Sequence, residues 1–339
     1  MACMSPAVSD PAGAGTGPGR RVRAASATGS TSATRATVLL RPARSTWAWV
    51  LAAAVTAALL LLVFRVLVTT QTGQLAEFMA LEAATHRLEG LRGSTLTVLN
   101  RLPEIVGVAG VGVFLVLTVY RRRWFASLVA AMAFGAANLT TQLLKNWVLV
   151  RPDLDNGVPY YTGNSLPSGH TTFAAAAVVA VFLMVAPRWR PLTAAVGAVF
   201  ATAVGAGTFI ETWHRPADMV AAYLVAAFWG LVAGYVILRT GPDWNIRGTR
   251  TARHPHPGGH PLWDVALWVT GGTMLLGAWW GFESAGGTAA LTAEPDWYSG
   301  WHFLYGVLFA TGPGLLVFAA LSGFFRWQSG RRRLAAPRD

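Results

Sequence analysis

The chain has 339 residues, 53% apolar and 12% charged, with 27 basic residues against 15 acidic ones and a formal charge of +12. Apolar runs of about 20 residues recur along it, each long enough to cross a bilayer, which argues for an all-α polytopic membrane protein and against a soluble enzyme. The arginines cluster at the ends of those runs, where they orient helices, and this argues against a nucleic-acid face; Cys3, the one cysteine, excludes an intrachain disulfide and a cysteine metal site.

Residues 1–45 are rich in Ala, Ser, Thr, Gly, Pro and Arg and carry too little apolar surface to fold, so a disordered basic tail is expected there. The first apolar run, 47–68, starts too far from the beginning of the chain and is too long for a cleaved signal peptide. Seven more spans are expected over 103–120, 124–145, 171–187, 191–210, 217–238, 262–282 and 303–325. Between the first two, residues 70–102 mix apolar with charged side chains, as in Leu75, Phe78, Met79, Leu81 and Glu82, the pattern of an amphipathic helix lying along the interface. The domain plan is therefore a tail (1–45), a six-span core (46–240), a Pro/Gly/His-rich linker (241–261), two further spans (262–325) and a basic tail (326–339). His254, His256 and His260 lie in the linker and are read as linker residues, not as a metal site. Trp297, Tyr298, Trp301 and Tyr305 read as an interfacial aromatic belt.

Orientation follows from the basic residues. With both termini cytoplasmic, 20 of them fall inside and 6 outside, Arg65 lying within a span. The segments 145–170 and 211–218 then share the outer face of what is expected to be the plasma membrane.

Three stretches on that face carry chemistry. Lys145, the one lysine among 26 arginines, precedes Arg151-Pro152; the proline biases Arg151 away from helix, so both cations turn toward one anion. Pro167-Ser168-Gly169-His170 places a hydroxyl and exposed N–H groups before a helix N-terminus, which favours negative charge, with His170 able to protonate a leaving oxygen. In His214-Arg215-Pro216-Ala217-Asp218, Asp218 can orient one imidazole nitrogen and leave the other free to attack. Each stretch alone has a plainer meaning: a snorkelling lysine, a helix cap, a surface ion pair. All three in this order on one face indicate a shared phosphate site. No metal and no cofactor is expected.

Together these motifs resemble the type-2 phosphatidic acid phosphatase family, whose wider superfamily includes vanadium haloperoxidases and glucose-6-phosphatase. The resemblance covers about residues 45–240 and implies a six-helix core and a metal-independent phosphatase with a phosphohistidine intermediate. It implies His214 as nucleophile, Asp218 as its orienter, His170 as general acid, and Lys145, Arg151, Ser168 and Gly169 as phosphate ligands. Two positions depart from the family pattern. Five residues, not six, separate Lys145 from Arg151, and Gly207-Thr208 stands where the family has Ser-Arg. Loss of that arginine is worth ~10²- to 10³-fold in rate unless another cation replaces it. Arg215 is the candidate, although on a helix it would point about 100° from His214. Thr208 and Arg215 therefore complete the expected phosphate ligands. The partner is a lipid phosphate: an isoprenoid phosphate or diphosphate, or a phosphatidate-type lipid, hydrolysed at the outer leaflet. A degenerate lipid-phosphate binder and a phosphotransferase are the alternatives, and the sequence leaves the oligomeric state open.

Overall fold

The computed structural model describes residues 38–40, 46–88, 109–156, 158, 164–247, 256–291 and 300–334. It is an all-α polytopic membrane protein. The helices are α1 (Thr46–Val63, continued by a π-turn, Phe64–Val68), α2 (Gln71–Leu88), α3 (Ala109–Arg121), α4 (Trp124–Leu143, continued by a π-turn, Leu144–Val148) and α5 (Gly169–Met184). They are followed by α6 (Arg190–Ile210), α7 (Pro216–Thr240), α8 (Leu262–Ser284), the short α9 (Gly287–Ala290) and α10 (Gly300–Trp327). Three short strands, β1 (Val38–Leu40), β2 (Ile246–Arg247) and β3 (Gly330–Leu334), form one sheet in the order β1-β3-β2. β1 thus places three residues of the expected N-terminal tail in a ladder; residues 1–37 and 41–45 lie outside the described part of the chain.

Six helices are long and apolar enough to cross a membrane: α1, α4, α6, α7, α8 and α10. The other two expected spans are shorter. α3 is described over only Ala109–Arg121, and α5 has 16 residues. At 1.5 Å per residue α5 is about 24 Å long, less than a bilayer's hydrocarbon core. Its start is set back because Ser168 stops the chain in an extended conformation and caps the helix, accepting the Thr171 N–H. α7 is the central helix and packs against α1, α4, α5 and α10. It starts sharply because Arg215, held extended by the following proline, is its N-cap, with Pro216 first and Asp218 in the first turn. Runs of alanine along α5 and α7 let these backbones approach closely, as helices must where no hydrophobic force separates protein from lipid.

One face of α2 is buried in the bundle. Gln74, Glu77, Ala80, Ala83 and Ala84 are all buried, and the helix packs against α10. At Gly306 of α10 an added Cβ would come within 2.9 Å of Ala80 Cβ, so this close crossing requires glycine. Gly73 likewise lets α2 fold back on α1, since a Cβ there would meet Val66 O at 2.3 Å. Tyr305 is buried too, its hydroxyl donating to Ala76 O at 2.6 Å, and so does not belong to an aromatic belt. Trp301 stacks edge-on to Trp280; Trp297 and Tyr298 lie outside the described residues.

Candidate phosphate site

The end of α1, the start of α2, the π-turn after α4, the starts of α5 and α7 and the end of α6 meet at one end of the bundle. There His214 Nδ1 lies 3.0 Å from Asp218 Oδ2, both side chains buried. His214 precedes α7 and is not part of it, so the pair is not a helix-face pair. Asp218, in the first turn, reaches back, and the same Oδ2 accepts the Arg215 N–H at 3.0 Å. With Nδ1 donating to this carboxylate, Nε2 keeps its lone pair. The loop bearing Ser168 is tied to the dyad through Ser168 N–H donating to Asp218 O at 3.0 Å.

Ser168 is fully buried, and its Oγ accepts from the Thr171 N–H and from Thr171 Oγ1. A cap of this kind is worth about 1 kcal/mol and fixes the N-terminus of α5. His170, in the first turn of α5, is exposed, lies against the Trp213 ring at 5.5 Å and is within electrostatic reach of His214 and Lys145. Lys145 sits half-buried in the π-turn, which closes through Leu149 N–H donating to Leu144 O. Asn164 holds that turn: its Nδ2 donates to Lys145 O at 3.2 Å, Leu149 O at 2.9 Å and Leu166 O at 3.1 Å. Nothing in the motif spacing marks Asn164, because its role is to satisfy carbonyls released by an irregular turn.

Two of the expected phosphate ligands stand differently from their sequence reading. Arg215 is not on the helix, so the 100° argument does not apply. Its extended N-cap conformation brings it, 5% exposed, to Ser165, with Nη1 donating to Ser165 Oγ at 3.0 Å. Thr208 is buried, and its hydroxyl donates to Gly205 O at 2.8 Å, so its one O–H hydrogen is engaged within α6. Its carbonyl accepts from Trp213 and His214, which shapes the turn before the dyad.

Sequence reasoning missed Glu77. From α2 it places Oε1 2.8 Å from the Ala217 N–H, in the first turn of α7, and Oε2 4.0 Å from Arg151 Nη1. A hydrogen bond from a charged group at such a helix start is worth about 1.5–3 kcal/mol. Burial, with Asp218 adding to it, pushes the Glu77 carboxyl up to about 7, against the opposing pull of Arg215, the Ala217 N–H and Arg151. Arg151 is pulled down by burial and by Arg215, with Glu77 and Asp218 opposing. Gln74, one turn before Glu77, donates to Val68 O and Pro152 O and so fixes the backbone after Arg151. The signal for this pair was two polar residues three apart on a helix face that continues with Ala80, Ala83 and Ala84.

Beside Glu77, between α1, α2, α8 and α10, lies an apolar cavity of about 350 Å³, with Leu67, Pro216, Trp279, Phe282 and Phe309 among its walls. Among the described residues no group of three His, Cys, Asp or Glu is placed to hold a metal ion. His256 and His260 have ring centroids 4.5 Å apart; His254 lies outside the described residues.

Residues 124–242 match the family model of the PAP2 superfamily. Phosphatidylglycerophosphatase B of Escherichia coli (strain K12) is 42% identical over 72 residues, which is 21% of this chain and 28% of that relative. Proteins of the same name from Escherichia coli O157:H7 and Shigella flexneri match to the same extent. The match therefore spans little more than a quarter of the length of these relatives. No solved structure matches. Lys145, Arg151, Ser168, His170, His214 and Asp218 all lie inside the matched segment, so the part of the chain that holds the candidate site is similar to the PAP2 superfamily, in line with the resemblance of its motifs to the type-2 phosphatidic acid phosphatase family.

Proposed function

We propose that the protein is a lipid-phosphate phosphatase acting through a phosphohistidine on His214. The observation that carries this reading is the 3.0 Å contact of His214 Nδ1 with Asp218, at the same end of the bundle as Lys145, Arg151 and the capped start of α5. In the first step Nε2 of His214 attacks phosphorus and the ester or anhydride oxygen leaves, taking a proton from His170. Lys145, Arg151, Arg215 and the N–H groups at the start of α5 bear the charge on the equatorial oxygens. In the second step the oxygen of water attacks phosphorus and gives a proton to His170 while the phosphorus–nitrogen bond breaks, its electron pair returning to Nε2, which releases phosphate and free His214. None of these steps calls on a metal ion.

An isoprenoid phosphate or diphosphate, or a phosphatidate-type lipid, suits a site framed by membrane helices. The apolar cavity that reaches Pro216 is of a size to take a hydrocarbon chain. The asymmetry of basic residues supports a site at the outer leaflet of the cell membrane with both termini cytoplasmic. A cysteine at Asp155 should then react with an impermeant thiol reagent in intact cells, and one at His260 should not; the reverse pattern would move the site to the inner leaflet.

A second reading, binding of lipid phosphate without turnover, is favoured by Thr208, whose hydroxyl hydrogen is turned into its own helix. Phosphate release from phosphatidate, phosphatidylglycerol phosphate and polyprenyl mono- and diphosphate, with chelator present, decides between them. Wild type should release phosphate from at least one, and His214→Ala should fall by ~10⁴-fold or more. Binding without release would establish the second reading, and release only with an alcohol acceptor would make the protein a phosphotransferase.

A further inference from the structure

Glu77 stands outside the matched segment, yet it touches both sides of the phosphate site. Its Oε1 holds the Ala217 N–H, while Oε2, 4.0 Å from Arg151, has no hydrogen-bond partner, and neither has Arg151 Nη2. Both side chains are only 4% exposed. A buried carboxylate and guanidinium usually join through two parallel hydrogen bonds. Here one carboxylate oxygen is occupied by a helix start and the pair stays loose, so Arg151 is attracted while its donors remain open to another anion. A phosphate dianion entering beside Lys145, Arg151 and Arg215 brings two negative charges next to a carboxylate that Asp218 already opposes.

We propose that Glu77 is the positioning residue of this site, holding Arg151 and the first turn of α7 while the site is empty and taking one proton from water as a phosphate dianion enters. This rests on reading Lys145, Arg151 and His214 as a phosphate site. A protonated Glu77 keeps its bond to the Ala217 N–H through the carbonyl oxygen, and its hydroxyl becomes a donor in place of the charge that held Arg151. Burial already holds the carboxyl near 7, so the added negative charge completes protonation at neutral pH. The charged and titratable groups facing Glu77 are Arg151 from the segment after α4, Arg215, His214 and Asp218 from the start of α7, and Tyr305 from α10. Two imidazoles, His214 and the neighbouring His170, share this site, so a control variant is required.

Sulfate keeps its dianionic charge throughout the range and is the probe. Its binding to the full chain in lipid nanodiscs is measured by calorimetry at pH 8 in two buffers of different ionisation enthalpy, which gives the protons taken up per sulfate. Wild type should take up close to one proton more than Glu77→Gln, which keeps the Ala217 bond through its amide oxygen. Sulfate affinity should fall by up to ~10-fold per pH unit above 7 in wild type and by less than ~3-fold in the variant. Glu77→Asp, which restores the carboxylate, should regain the proton uptake at lower affinity. Equal uptake and equal pH profiles in wild type and Glu77→Gln, both binding sulfate, would overturn the proposal and leave the phosphate site standing. If Glu77→Gln does not fold, wild type decides alone, since no proton uptake at pH 8 overturns the proposal. Failure of wild type to bind sulfate at any pH would overturn the phosphate-site reading and this inference with it.

Discussion

At one end of the bundle Arg190, 3% exposed, lies over the Trp244 ring at 4.3 Å and near the rings of Phe182 and Phe325, with Nη1 bonded to Asn245; at the other, Arg151, 4% exposed, faces Glu77 at 4.0 Å. Around Arg190 the neighbouring bonds are also structural: Arg121 donates to Met184 O, Trp244 Nε1 to Leu183 O, and Arg326 pairs with Asp264. Ring faces and an amide stabilise the Arg190 cation without a carboxylate partner of its own. At the other end a carboxylate that burial pushes up to about 7 and the His214–Asp218 pair meet the same helix start, which is the basis for the proposed response to protons and anions. Burial alone does not separate structural from functional arginine; the chemistry of what surrounds it does.

The sharpest break between the two ends comes from the arginines themselves. Arg151→Ala should lower kcat/KM by ~10²- to 10³-fold with a modest loss of thermal stability, as removal of a charged transition-state contact would. Arg190→Ala should instead cost roughly 2–4 kcal/mol of stability while activity per folded molecule stays within about 2-fold. Equal loss of activity in both, measured on protein shown to be folded, would erase the distinction.

The proton response is the next test. The Glu77 carboxyl stands at about 7 in the folded chain against its ordinary 4.5, so the folded state holds this proton more tightly than the unfolded state. The stability that this group contributes is full below pH 4.5 and is lost as pH rises through 7. It amounts to roughly 3 kcal/mol at most. The thermal midpoint of wild type should therefore fall between pH 5 and 8 relative to Glu77→Gln, and a constant difference between them would show that the carboxyl is not raised.

The smallest effect should come at Thr208. Thr208→Val removes the hydroxyl that donates to Gly205 O, and activity should change by less than ~3-fold because that group serves α6. A loss of ~100-fold would mean that the hydroxyl turns to the phosphate during reaction, which would restore it as a ligand.

Six of the expected spans correspond to helices long and apolar enough to cross a membrane, α1, α4, α6, α7, α8 and α10, because apolar runs and their bounding prolines and arginines are local signals, readable one segment at a time. Lys145, Arg151, Ser168, His170, His214 and Asp218 were legible because each stretch carries its own spacing. The extended setting of Arg215 was misread because Pro216 governs the residue before it, which takes that residue off the helix. What covers one face of α2 was not legible. Its polar face suits an interface as well as a buried polar contact, and composition cannot tell which surface will cover it.

By itself, then, the sequence determined the membrane class, the helices and the candidate phosphate residues, since hydrophobic length and motif spacing are properties of short segments. The tertiary structure alone decided that α2 and α10 close over that core, that Tyr305 is bonded to the Ala76 carbonyl, that Asn164 holds the lysine-bearing turn, and that Glu77 joins Arg151 to the start of α7. Those contacts link residues tens to hundreds of positions apart, and a buried carboxylate takes its meaning from the donors that other segments bring to it, which no local pattern encodes.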